Sequence, residues 1–174
     1  MISAVAGVAG AYFAYLAVDQ RFRHRRRRAA LVSAGGTRYD VFVSYAEADA
    51  RWAQDLAAGL RRHGLSVFLA AWISPGLVVL LEKEKALLES AHGVLVFSRA
   101  TMAQPAVAEE YVVLLSQAHS RGGRFIPVVI DDVVLPPFAA IRQPLDFRPV
   151  SGPAYDGKVA ELARAVRMRA GASR

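Results

Sequence analysis

The residue least at ease with its surroundings in this sequence is Glu110. Pro105 suits the first turn of a helix, and the pattern continues to about Ser120. On that helix Val107, Glu110, Tyr111, Leu114 and Ala118 share one face, with Glu109, Ser116 and Ser120 on the other and Val112 and Val113 between. Glu109 is then an ordinary solvated carboxylate. Glu110 falls on the apolar stripe, where an unpaired charge is costly. A carboxylate in such a place either serves a functional site or closes an ion pair or hydrogen bond to a neighbouring loop, and the residues alone leave both readings open.

The other polar groups with chemical potential stand at strand ends. Ser44 and Tyr45 close one short β-branched and aromatic run, Val41-Phe42-Val43, and Ser98 closes another, Val94-Leu95-Val96-Phe97. Asp131-Asp132 closes a third, but a receiver-type phosphoacceptor needs acids where this chain has Ser44-Tyr45. His63, His92 and His119 sit singly in different elements, without metal-ligand spacing. Gly122-Gly123 reads as a turn, since no GxGxxG or GxxxxGK[ST] pattern follows a strand, and no GxSxG supports a hydrolase triad. With no cysteine in 174 residues, thiol catalysis, disulfides and cysteine-ligated metals are excluded.

The elements that must position these groups alternate regularly. After the strand ending at Ser44-Tyr45, Asp49 stands at a helix N-cap position, and Trp52, Ala53, Leu56, Ala57 and Leu60 form an amphipathic stripe that Gly64 terminates. Val67-Phe68-Leu69 is a second strand, followed by a loop with the turn pair Pro75-Gly76. Leu80, Leu81, Glu84, Leu87, Leu88 and Ala91 make the next helical stripe, before the third strand at 94–98. Phe125 to Ile130 is a fourth strand, in which Pro127 argues against a central position with every ladder bond made. Leu145-Asp146-Phe147 is a short fifth, and Val159, Leu162, Ala163 and Val166 mark a closing helix. The alternation predicts an α/β, flavodoxin-like three-layer sandwich around a parallel sheet of about five strands in the order 2-1-3-4-5. Its crevice opens between the carboxyl ends of the first and third strands, at Ser44-Tyr45 and Ser98-Arg99.

Residues 2–18 carry no charge and one weakly polar residue, Ser3. As a helix they span roughly 26 Å, against the roughly 30 Å of a bilayer core. Six arginines follow between Arg21 and Arg28; set against Asp19 they give residues 1–28 a charge of +5 out of the chain's +7. The remaining 146 residues carry +2, so the basic character belongs to one short segment and gives the globular part no reason to bind nucleic acid. A cleaved signal peptide would place its basic residues before the apolar run, and a core-packed helix is a further reading of so Ala- and Gly-rich a segment. A single-pass anchor fits best. By the positive-inside rule its N-terminus lies outside and the rest is cytoplasmic, with the basic segment favouring anionic lipid. The expected organisation is a transmembrane helix at 1–19, a basic juxtamembrane segment and linker at 20–37, a globular domain at 38–168 and a frayed tail at 169–174.

Taken together, the first strand Tyr39 to Tyr45, the loop Trp72-Ile73-Ser74-Pro75-Gly76, the segment Glu82 to Ser98 and Ala106 to Tyr111 resemble the TIR (Toll/interleukin-1 receptor) domain family over about residues 38–168, with the bacterial branch the nearer look-alike. The resemblance implies scaffolding through contacts with other TIR domains, giving a homo-oligomer on activation, and in many members cleavage of the nicotinamide–ribose bond of NAD⁺. Glu110 would then be the catalytic glutamate, with Ser44, Tyr45, Trp72 and Ser98 contacting the substrate. No metal and no resident cofactor are implied; NAD⁺ enters as substrate. The chain departs from the family pattern at Ala106, where a tryptophan is usual, at Ala70-Ala71, where an acid is common, and at Ala46, where some members carry a basic residue. The alternative implied function is a non-catalytic adaptor working through homotypic contacts around Trp72 to Leu77.

Overall fold

The computed structural model describes residues 38–103, 123–148 and 150–168. The predicted anchor, the basic segment and linker, the helix bearing Ala106 and Glu110, and the tail lie outside the described residues. Among the described residues no helix is long and apolar enough to cross a membrane.

Five parallel strands form one sheet: β1 (Tyr39–Ser44), β2 (Val67–Leu69), β3 (Ser90–Phe97), β4 (Phe125–Val129) and β5 (Leu145–Asp146). Their order is 2-1-3-4-5, as the alternation of elements predicts. Between them run α1 (Ala50–Arg62), α2 (Val79–Leu88), the single turns α3 (Arg99–Met102) and α4 (Pro137–Ala140), and the closing α5 (Gly152–Arg167). Because successive strand residues point to opposite faces, β1 sends Val41 and Val43 one way and Phe42 the other. Val41 and Val43 join Val94, Val96, Ile126 and Val128 beneath Leu56 and Leu60 of α1 and Leu162 and Val166 of α5. Phe42 joins Phe68, Leu95, Phe97 and Phe125 beneath Ala86 and Leu87 of α2 and Ala139 of α4. Nothing in either cluster is charged, which is why the buried stretches Val41–Val43 of β1 and Val94–Phe97 of β3 read as unbroken apolar runs.

Gly64 ends α1 as its position predicts, and the mechanism is visible. At φ +77° it lets its own N–H reach the Arg61 carbonyl at 2.8 Å while the Leu65 N–H returns to the Leu60 carbonyl at 3.2 Å, the paired bonds of a Schellman cap. Buried Leu65 then leads into β2. The start of that strand is clipped to β1 by Asp40, whose Oδ2 accepts both the N–H (2.6 Å) and the hydroxyl (2.8 Å) of Ser66.

Two local expectations are revised, and a third, that Pro127 leaves a ladder bond unmade, is met in an internal strand. The helix α2 stops at Leu88, because Ser90 and Ala91 already belong to β3, and it buries only Ala86 and Leu87; Leu80 and Leu81, expected on a core-facing stripe, are exposed. Asp49 occupies the N-cap position of α1 but makes no cap bond with its side chain. Pro127 does lie in an internal strand. The bonds Gly93 N–H to Arg124 O and Ile130 N–H to Phe97 O show that even-numbered residues of β4 serve β3, so Pro127 faces β5. There β5 begins only opposite Val128, and the missing N–H interrupts no ladder.

His92, half-buried on β3, accepts the Arg124 N–H on Nδ1 at 2.9 Å, which requires that nitrogen to be unprotonated. Burial first, and then the positive charge of Arg124, hold its pKa below the ordinary histidine value, with Asp40 pulling the other way. A depressed folded pKa means the unfolded chain binds the proton first. This contribution to stability is therefore complete above about pH 6.5 and is lost as pH falls from there through the folded-state value. Denaturation midpoints measured from about pH 7.5 down to about pH 5 should fall, and His92→Asn, which keeps an acceptor but cannot titrate, should flatten that part of the slope. Replacing Gly64 by Ala forces an L-side chain into the left-handed region and should lower unfolding free energy by about 1–2 kcal/mol without changing the strand order.

Candidate functional site

In a parallel sheet of this order β1 and β3 are the adjacent strands at which the order reverses, and their carboxyl ends lie side by side, the place where such sheets open a crevice. Ser44 ends β1 opposite Leu95 and is almost wholly buried, so it forms part of the crevice floor. Tyr45, half-buried against the α1-side core, accepts the Ala71 N–H on its hydroxyl at 3.1 Å. That bond ties the loop after β1 to the turn after β2.

Ser98 lies at the other lip and is fully buried. Its hydroxyl donates to Asp49 Oδ2 at 2.5 Å and accepts the Thr101 N–H at 3.0 Å, capping α3. The Thr101 hydroxyl, 3.1 Å from that of Ser98, donates to the Val96 carbonyl at 2.8 Å. A hydroxyl has one hydrogen to give, and that of Ser98 goes to Asp49. Donation from Ser98 to a ligand therefore requires the Asp49 bond to open first. The same bond draws the loop 45–49 across to the end of β3.

Asp131, Asp132 and Asp146 stand at the carboxyl ends of β4 and β5, and each has a partner. Asp131 Oδ2 accepts the Arg99 N–H at 3.0 Å. The Arg148 guanidinium bridges Asp146 at 2.7 Å and Asp132 at 3.1 Å, and its hydrogen bonds hold the Asp146 carboxyl below the usual carboxylate range. Among the described residues no cluster of three or more His, Cys, Asp or Glu could hold a metal ion.

Trp72 departs from the crevice residues. It ends a 3₁₀ turn, Ala70–Trp72, and the Arg61 guanidinium stacks over its ring at 3.8 Å from the centroid. Together with Arg38, Tyr39, Leu77 and Glu82 these two line a groove of about 220 Å³ along the outer side of edge strand β2. One face of the indole is thus taken by Arg61, and the Tyr45–Ala71 bond is what keeps this groove next to the crevice.

Of the residues proposed from sequence, Ser44, Tyr45 and Ser98 are brought together at the strand ends, Trp72 lies in the adjoining groove, and Glu110 falls outside the described residues. Sequence reasoning missed Asp49 as the partner of Ser98 and Arg61 as the partner of Trp72. Asp49 was read as a helix cap, and nothing in the sequence near Arg61 pairs it with Trp72; only the tertiary arrangement brings either pair together.

Comparison with known proteins agrees with this architecture. The family model described as TIR domain matches residues 41–163. The chain is similar to the TIR domain of the Toll-related receptor TRR-2 from Hydra magnipapillata, at 23% identity over 75% of this chain and 99% of that one, with a TM-score of 0.60. It is similar to a metazoan TIR-STING receptor from C. gigas, solved in complex with 2',3'-cGAMP, at 20% identity and a TM-score of 0.63, over 76% of this chain and 40% of that one. It also resembles the TIR domains of the activated Roq1 resistosome, at 20% identity over 74% of this chain and 99% of that one, with a TM-score of 0.59. No curated protein matches the sequence. At these identities the solved structures speak for the fold, and the family match, which spans well over half of the chain, establishes that the protein belongs to the TIR-domain family.

Proposed function

We propose that this protein is a membrane-anchored signalling or defence protein of the bacterial TIR type that cleaves the nicotinamide–ribose bond of NAD⁺ when its domains cluster. The observation that carries the proposal is Glu110, a carboxylate on the apolar stripe of its helical pattern at the position matching the family's catalytic glutamate. The crevice that the strand order opens between Ser44 and Ser98 supports it.

The chemistry asks little of the protein beyond placement. Breaking the C–N bond sends the electron pair to the pyridinium ring, so nicotinamide leaves neutral and needs no proton. Positive charge develops on the ribose, and a carboxylate held against it stabilises that charge and fixes the ribose hydroxyls. Glu110 takes this role. Ser44 and Tyr45 border the nucleotide, Trp72 offers the aromatic surface not covered by Arg61, and Ser98 acts on the crevice through Asp49. Contact with other TIR domains raises the local concentration of sites, and the apolar run at 2–18 with its arginines holds the domain at the cytoplasmic side of a membrane.

The second reading is a non-catalytic adaptor that works through TIR–TIR contacts. The alanines at 106, 70, 71 and 46 and the commitment of the Ser98 hydroxyl to Asp49 favour it.

NAD⁺ loss and nicotinamide release, measured on the chain clustered at high local concentration beside its Glu110→Ala variant, decide between them. Turnover in the first, reduced at least about 100-fold in the second, is the expected result. Absence of turnover in both, with the domain folded and clustered, gives the adaptor reading instead.

A further inference from the structure

Five consecutive apolar residues, Leu77, Val78, Val79, Leu80 and Leu81, are each between 51 and 67% exposed. They follow a tight turn in which Pro75 and Gly76 are the central residues, Gly76 at φ +88° and Leu77 N–H bonded to the Ser74 carbonyl at 3.3 Å, so the run projects from the turn into the first turn of α2. Single exposed apolar side chains are ordinary; a contiguous run of five marks a contact surface. The helix start is also built against water. Val78 stands at the N-cap and makes no side-chain cap bond, at a position where Ser, Thr, Asp or Asn would satisfy an orphan N–H.

Charge decides what covers the run. Arg38 and Arg61 line the groove that Leu77 enters, and Lys85 lies one helical turn beyond Leu81 on the same face of α2. All three are exposed, whereas Glu82 and Glu84 are half-buried. Two copies meeting face to face through this same surface would set their cations against each other. An anionic bilayer offers phosphates to the cations and acyl chains to the leucines and valines, the pairing by which amphipathic segments lie in a membrane interface. The chain also enters the domain here: Arg38, the first described residue, is a wall of the groove, and the sequence just upstream holds six arginines between 21 and 28.

We infer that Leu77–Leu81 is a membrane-contact element that inserts into the interface of an anionic bilayer, with Arg38, Arg61 and Lys85 on the headgroups. The inference depends neither on NAD⁺ cleavage nor on residues 2–18 spanning a membrane.

The chain has no cysteine, so a single label can be placed at will. Full-length Leu80→Cys and Val134→Cys, the latter 89% exposed in the loop after β4, each carrying an environment-sensitive fluorophore, are mixed with vesicles whose acyl chains bear a spin-label quencher. The expected result is quenching at position 80, at least about threefold stronger with 30% anionic lipid than with neutral lipid, and little at position 134. An Arg38→Gln, Arg61→Gln, Lys85→Gln variant should show weaker quenching at position 80 in anionic vesicles, although the arginines between 21 and 28 still draw the chain to them. An unquenched label at 80, equal quenching at 80 and 134, or equal quenching in neutral and anionic vesicles overturns the inference. So does a blue shift at 80 that is unquenched and grows with protein concentration, which identifies a second copy as the occupant. Flotation of the same vesicles reports separately whether the chain is anchored, so failure of this contact and failure of the anchor are read apart.

Discussion

The alternation of side chains along β1 is the constraint on which the other elements depend. A parallel sheet has to be covered on both faces, and β1, paired on each side, fixes which face receives which helix. Val41 and Val43 commit α1 and α5 to one face; Phe42, stacked on Phe68 at 5.1 Å between centroids, commits α2 and α4 to the other. With these assignments made, β1 and β3 lie side by side at the point where the strand order reverses, and their ends at Ser44 and Ser98 face the place where such sheets open a crevice.

Legibility in the sequence divides along the same line. Elements whose information is periodic could be read: the buried positions of α1 and α5 are those of their apolar stripes, and Gly64 stops α1 because its conformation is a local requirement. Where the deciding partner is remote, the sequence misleads. Leu80 and Leu81 have the right period for a buried stripe, but α2 touches the sheet only with its last turn, and no local pattern reports how far a helix overhangs its core. Pro127 is acceptable because β5 starts late, a fact about another segment of the chain. The strand-end positions of Ser44 and Ser98 were legible and the partner of Ser98 was not, since Asp49 and Ser98 are 49 residues apart and meet only through the order of the strands.

The buried hydroxyl cluster has consequences for any chemistry at the crevice. Ser98, Thr101 and Asp49 form a connected set in which the hydroxyl hydrogens go to the Asp49 carboxylate and the Val96 carbonyl, so the lip of β3 is stiff and its acceptor capacity faces inward. Loop 45–49 is drawn into the same set through Asp49 and reaches the β2 turn through Tyr45. The strand ends are thus held by bonds within the protein, from the β3 lip through loop 45–49 to the β2 turn.

Electrostatics then sets what such a crevice can admit. Asp49, Asp131, Asp132 and Asp146 all stand at the carboxyl ends of the strands, and unopposed they would repel the pyrophosphate of a dinucleotide. None is unopposed: Asp49 takes a hydroxyl, Asp131 a backbone N–H, and Asp132 and Asp146 share Arg148. Hydrogen bonds from neutral donors spread the charge without cancelling it, so only the Arg148 pair is compensated by a cation. Cations outside this acidic set stand at the β2 edge, where Arg38 and Arg61 line the groove with half-buried Glu82 as its acid.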